Sequence, residues 1–232
     1  MSEPLQLPIE DAPVPHVTAA LHRPTRRGGP PVLLTHGAGG DLDNVGLVAL
    51  AELLADLGHP VIRVNLPYRE AGRRGAPRAE SNVGHLRKLL ASAAEVTGLE
   101  GPWIAGGKSY GGRVASLLAA EDDGAGLLGL LFYGYPLYPP GNPERLRVDH
   151  WPRVPVPCLF LQGTRDTFCD IGLLEEHVHK LPRRATIHLV EGGDHSLKVT
   201  GAASPTGTPS SAAATIAGLR EPIANWLRSL ET

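Results

Sequence analysis

The sequence predicts an α/β fold, with a mostly parallel central sheet and helices on both faces. Two observations carry this expectation. Short apolar runs that read as buried strands alternate with longer runs of helical spacing, and a glycine-rich turn between one such strand and helix surrounds Ser109. The alternation implies parallel pairing, because parallel strands need crossover helices and those helices cover both sheet faces. At 232 residues the chain fits a single domain with a sizeable core, and no internal repeat divides it.

Each element has a local reason. Met1 to Pro15 is acidic and Pro-rich and reads as an extended N-terminal arm. Val17 to His22 reads as a strand, and Val32 to Thr35 as a short buried strand ending at His36-Gly37-Ala38-Gly39-Gly40. Val45 to Leu57 carries apolar residues at helical spacing, with Gly58 as its stop signal. Val61 to Leu66 is the next strand, halted by Pro67, and Glu80 to Val96 is helical with Leu86, Leu89 and Leu90 on one face. The Trp103 strand and the Tyr110 to Ala120 helix follow. Leu127 to Tyr133, Cys158 to Leu161 and Ala185 to Val190 read as strands, and Ile171 to Leu181 as helix. Ala212 to Leu230 is expected as one closing helix with Ile216, Leu219, Ile223 and Trp226 inward. Arg69 to Arg78 lacks periodicity. So does Thr200 to Ser211, which is rich in Gly, Ser, Thr and Pro and is expected to be a mobile loop.

Composition narrows the function classes. A net charge of −2 and a pI near 6.5 give no reason to expect nucleic acid or an acidic membrane as partner. Cys158 and Cys169 match no metal or redox spacing. The N-terminus has neither the basic start nor the apolar core of a signal peptide, and no apolar run approaches membrane-spanning length. With so few cysteines, a cytoplasmic location is expected.

The chemistry centres on Gly107-Lys108-Ser109-Tyr110-Gly111, which has the G-x-S-x-G pattern of a nucleophile elbow. A sharp strand-to-helix reversal forces Ser109 into a strained conformation, and glycines on either side relieve the crowding. The turn lifts the Ser109 hydroxyl clear of the sheet and aims helix N-terminal amides at whatever it attacks. Gly107-Lys108-Ser109 also ends like a phosphate-binding P-loop. That pattern needs glycine at position 102, where the chain has Pro102.

Four segments then carry a resemblance to the α/β-hydrolase superfamily: His36-Gly37-Ala38-Gly39-Gly40, the elbow at Ser109, Gly163-Thr164-Arg165-Asp166, and Gly192-Gly193-Asp194-His195-Ser196. The likeness runs from His36 to the closing helix. It implies an α/β-hydrolase fold and a triad in the chain order Ser109, Asp166, His195, each just past a strand end. Within the superfamily the chain looks similar to a small dienelactone-hydrolase-like branch. That branch includes a testis-expressed protein and a subunit of the non-specific-lethal chromatin complex. Asn65-Leu66-Pro67-Tyr68-Arg69, Gly111-Gly112-Arg113 and Gly134-Tyr135-Pro136 carry this closer match.

The roles follow from the residue types. A serine hydroxyl is a weak nucleophile at neutral pH and needs a base to take its proton, which suits His195. Asp166 would hold the imidazole in the right tautomer. Backbone N–H groups of Tyr110 and Ala38 would form the oxyanion hole. His36, His177, His179 and His188 fall in worse positions for a base, and Asp170 and Asp194 are the rival acids. Tyr68, Arg69 and Tyr135 are candidate substrate contacts; the bland alternatives are a solvated basic loop and aromatics that cover the sheet. The segment between the Leu127 and Cys158 strands is too short for a lid domain, so the site is expected to be open to small or exposed acyl groups. The expected activity is hydrolysis of a carboxylic ester or thioester, with no metal or organic cofactor. The alternative from another class is a non-catalytic binding or scaffold protein on the same fold. Oligomeric state is not readable from the sequence.

Overall fold

A computed structural model of the chain describes residues 2–230 except Arg27, Asp122 and Pro205, so Met1 of the expected arm and Pro205 of the expected loop lie outside the described residues. One sheet has the strand order β1-β2-β4-β3-β5-β6-β7-β8. Its strands are β1 (Ser2–Pro8), β2 (His16–His22), β3 (Val32–Thr35), β4 (Val61–Val64), β5 (Trp103–Lys108), β6 (Leu127–Tyr133), β7 (Cys158–Gly163) and β8 (Ala185–Val190). From β4 across to β8 all neighbours are parallel; β1 and β2 are antiparallel additions at one edge.

Alternate residues of each central strand feed two separate cores, as the period of two requires. Leu33, Ala105, Leu130, Phe132 and Phe160 point to one face, against α3 (Val83–Thr97) and α4 (Tyr110–Glu121). Leu34, Ile104, Leu131, Tyr133 and Leu161 point to the other, against α1 (Val45–Asp56), α6 (Ala212–Ala217) and α7 (Arg220–Arg228). Two short helices complete the set, α2 (Pro67–Glu70) and α5 (Ile171–His177). The 24-residue gap between β6 and β7, residues 134–157, contains one 3₁₀ turn at Trp151–Arg153 and no inserted lid domain.

The structure departs from the sequence reading at the two ends of the chain. Residues Ser2–Pro8 of the N-terminal arm form an edge strand paired with β2, with Leu7 fully buried. Its prolines, Pro4 and Pro8, are tolerated because an edge strand can spare an N–H, and they masked the Leu5, Leu7, Ile9 alternation. The closing helix breaks after Ala217, and Gly218 caps the first half. Pro222 cannot send a continuous helix's N–H back to the Gly218 carbonyl, so α7 starts anew with Pro222 in its first turn. At the base of the 200–211 stretch Val199 bridges both Gly193 and Ser210, and Gly201–Ala203 forms a 3₁₀ turn.

β3 lies between β4 and β5. The chain therefore leaves β3 towards one side of the sheet and later returns to the other side, which makes this the topological switch point. The loop after β3 and the turn after β5 meet there.

His22 and His150 are buried in neutral form. His22 Nε2 accepts from Arg63 Nε at 2.9 Å, and His150 Nε2 lies 2.8 Å from Ser116 Oγ. Burial, then the neighbouring Arg63, pushes His22 down to about 4. Burial, then Arg113 and Arg153, does the same for His150. The folded state thus binds fewer protons than the unfolded chain between the ordinary histidine value of about 6.5 and about 4. Their contribution is present above this window and is lost as pH falls through it. Urea unfolding at pH 7.5 and 5.5 should show a drop in stability that His22→Gln reduces.

Candidate active site

The elbow is built by close backbone approaches. A Cβ on Gly107 would lie 2.0 Å from the Thr35 carbonyl oxygen, and one on Gly111 would lie 2.3 Å from Thr35 Oγ1. Only glycine fits at either position, so α4 can turn back tightly over β3. Ser109 itself takes φ +50°, a left-handed conformation unfavourable for a residue with a Cβ. The turn is held by Ser109 N–H donating to the Tyr133 carbonyl at 2.9 Å and by Arg113 N–H donating to the Ser109 carbonyl at 3.1 Å.

The strand ends bring the other two groups to this turn. His195 Nε2 lies 2.8 Å from Ser109 Oγ, and His195 Nδ1 lies 2.7 Å from Asp166 Oδ2. A carboxylate can only accept, so Nδ1 carries the proton and Nε2 is left to accept from the serine hydroxyl. The Asp166 side chain is fully buried while that of His195 is 19% exposed, so the acid is shielded and the base faces the cleft. Gly163 permits this convergence: a Cβ there would come 2.3 Å from the Gly193 carbonyl oxygen. The three residues form a Ser-His-Asp catalytic triad, the geometry of a serine hydrolase.

The rival acids are occupied elsewhere. Asp170 caps α5 by accepting from Leu173 N–H at 2.9 Å. Asp194 accepts from the N–H groups of Ser196 and Lys198, at 2.7 and 3.0 Å, and so shapes the turn that presents His195. His36 supports the loop after β3. Leu66 N–H donates to its Nε2 at 3.1 Å, which leaves Nδ1–H to donate to the Gly37 carbonyl at 2.8 Å. Burial pulls its pKa down, in keeping with this neutral tautomer.

Several supporting residues carry no motif of their own. Gln162 Nε2 donates to Asp166 Oδ2 at 2.6 Å, and its amide orientation is fixed because Tyr135 N–H donates to its Oε1 at 2.9 Å. Phe168 N–H donates to Asp166 Oδ1 at 2.8 Å, and its ring lies against the His195 imidazole with centroids 4.4 Å apart. Lys108 Nζ donates to the His195 carbonyl at 3.2 Å from a buried position, and desolvation lowers its pKa. Gln162 and Phe168 flank the Gly163-Thr164-Arg165-Asp166 segment, and Lys108 sits inside the elbow; that adjacency was their one sequence signal. Gln162→Leu should lower kcat, and it should destabilise the fold by roughly 1–3 kcal/mol because the Tyr135 N–H loses its acceptor in a buried setting. Steady-state kinetics and urea unfolding check both effects.

The expected substrate contacts lie elsewhere. Tyr135 is fully buried, its ring packed against Phe132, Trp151 and Phe160, because the backbone after β6 turns the side chain under the sheet end. Only its backbone N–H serves the site. Tyr68 is also buried, and its hydroxyl donates to the Ala38 carbonyl at 2.9 Å. Arg69 pairs with Asp41 at 3.5 Å. Both act on the loop after β3 rather than on the cleft. The cleft, of about 710 Å³, opens at Ser109 and is lined by Ala38, Tyr110, Pro136, Leu146 and Phe168 among others. Among the described residues no helix is long and apolar enough to cross a membrane.

Known structures share this architecture. A serine hydrolase homologue from Coxiella burnetii superposes with a TM-score of 0.72 at 16% identity, covering 97% of each chain. A lidless α/β serine hydrolase from Xanthomonas campestris gives 0.64 at 17% identity, over 99% of this chain and 93% of the other. A dienelactone hydrolase from Anabaena variabilis gives 0.66 at 17% identity, over 99% of this chain and 97% of the other. At these identities the likeness is one of fold. The family model described as "Alpha/beta hydrolase domain" matches residues 29–219, which takes in the β3 loop, the elbow, Asp166 and His195. The chain belongs to the α/β-hydrolase family.

Proposed function

We propose that the protein hydrolyses carboxylic esters or thioesters of small or exposed acyl groups. The observation that carries this reading is the continuous hydrogen-bonded line from Asp166 through His195 to Ser109, ending at an open cleft. Ser109 Oγ attacks the acyl carbonyl as His195 Nε2 takes its proton, and Asp166 stabilises the imidazolium that forms. Negative charge develops on the carbonyl oxygen. The N–H of Tyr110, first residue of α4, has no helical acceptor and is free to receive that charge. The Ala38 N–H is the second donor in this reading, held in place by Tyr68 on the Ala38 carbonyl. Collapse of the tetrahedral intermediate expels the alcohol or thiol, protonated by His195. Water activated by the same histidine then releases the acid and frees Ser109.

An open cleft at Ser109 speaks against a purely structural role, since a scaffold has no need to keep it. The motif segments support a place near the dienelactone-hydrolase-like branch, and one domain spanning residues 1–232. Two free, buried thiols, Cys158 and Cys169, suit a cytoplasmic setting. A chain-length series of p-nitrophenyl esters, with the matching thioesters, tests the proposal. Turnover that is highest for short acyl groups is expected. Absence of turnover on every member of both series would refute it.

A further inference from the structure

Away from Ser109 the cleft becomes strongly basic. Arg78, Arg113, Arg145, Arg147 and Arg153 line it, and among the described residues the carboxylates that do are Glu80 and Asp149. The chain as a whole carries a net charge of −2, so this concentration of positive charge is local. Among the described residues, Glu80 pairs with Arg113 at 2.7 Å, and none of the other four arginines has a carboxylate partner. Arg113 Nε is buried with no hydrogen-bond partner. Arg147 is half-buried, and its guanidinium makes one long hydrogen bond, 3.4 Å, to the Tyr138 carbonyl.

The crowding has electrostatic consequences. Desolvation, then the Arg113 and Arg145 charges, lowers the Arg147 pKa. A partly buried cation surrounded by other cations is costly unless an anion completes the site. Guanidinium groups suit that task, since their planar forks grip carboxylate and phosphate oxygens in pairs. The cationic surface is concave and continuous with the nucleophile, which fits a small anion attached to the reacting molecule better than a polymer. Arg73 and Arg74, although basic, are not part of this lining.

We propose that this cleft is an anion subsite, so that the substrate is an ester with a carboxylate or phosphate on its acyl or alcohol half. The proposal rests on the ester-hydrolase reading above and specifies its substrate class. Three anionic probes separate the possibilities. The p-nitrophenyl monoester of glutaric acid carries a carboxylate on the acyl side and is compared with p-nitrophenyl pentanoate. Acetate esters of 4-hydroxybenzoate and of 4-hydroxyphenyl phosphate carry carboxylate and phosphate on the alcohol side, and are compared with 4-methylphenyl acetate by proton release.

The readout is the ratio of anionic to neutral kcat/KM in the wild-type protein, divided by the same ratio in Arg145→Gln/Arg153→Gln. Intrinsic differences in leaving group cancel in this quotient, and both residues are exposed, so the fold should tolerate the change. For at least one probe the quotient should be roughly tenfold or more, the size expected for losing charge-assisted hydrogen bonds. It should shrink in high salt, and Arg145→Lys/Arg153→Lys should restore part of it. Arg147→Gln provides an independent variant with the same expected direction. A quotient of one for all three probes in both Gln variants would overturn the subsite while leaving ester hydrolysis intact. Failure to hydrolyse any of these esters, anionic or neutral, would instead overturn the ester-hydrolase reading and the subsite with it.

Discussion

Ser109→Ala should remove ester hydrolysis almost completely, with a loss in kcat on the order of 10⁶ as found when a triad serine is deleted elsewhere. The fold should survive, because the Ser109 hydroxyl bonds only to His195 Nε2 and leaves no other buried group unpaired. The same residue also stores strain. Its φ of +50° costs any side-chain-bearing residue about 1–2 kcal/mol. Ser109→Gly should therefore be as inactive as Ser109→Ala yet more stable than it by about 1 kcal/mol, net of the added chain entropy of glycine. Parallel assays and thermal unfolding of the two variants separate the lost nucleophile from the relieved backbone. Equal stability would mean that the elbow is not strained at Ser109.

Asp166→Asn should cost roughly 10⁴-fold in kcat. The reason lies in the donors around the carboxylate. Oδ2 accepts from His195 Nδ1–H and from Gln162 Nε2–H, and Oδ1 accepts from Phe168 N–H. An amide offers one acceptor oxygen and one NH₂ group. If its oxygen stays on Phe168, the NH₂ faces His195 Nδ1 and drives the ring proton to Nε2, where it blocks the serine. If the oxygen turns to His195, the NH₂ meets the Phe168 N–H with no water to relieve it. Asp170→Asn keeps a good helix cap and should change activity little. Pre-steady-state and steady-state rates of the two variants make the comparison; a larger loss at Asp170 would reassign the acid.

Local patterns were legible and distant convergence was not. β3, β6 and β8 lie within the runs that the sequence marks, because a buried parallel strand is a short apolar stretch with little competing signal. The triad was readable because each member sits in its own glycine-rich segment at a strand end. β1 was hidden by Pro4 and Pro8, and the break before α7 by an apolar spacing that continues through Gly218. Tyr135 was misplaced for a different reason: an aromatic just past a strand can point to solvent or to core, and only packing with Phe132, Trp151 and Phe160 decides. The basic lining of the cleft joins α4 to residues 145–153, which are remote in sequence. Of the visible run of arginines at 69–78, Arg78 lines this cleft, while Arg69 pairs with Asp41.

The most direct test of a serine nucleophile at this elbow is intact-protein and peptide mass spectrometry after treatment with a fluorophosphonate. A single covalent adduct is expected on Ser109, formed rapidly in the wild-type protein and very slowly in His195→Ala, whose serine lacks its proton acceptor. No adduct under conditions where the protein stays folded, or an adduct on another residue with Ser109 unmodified, would contradict it.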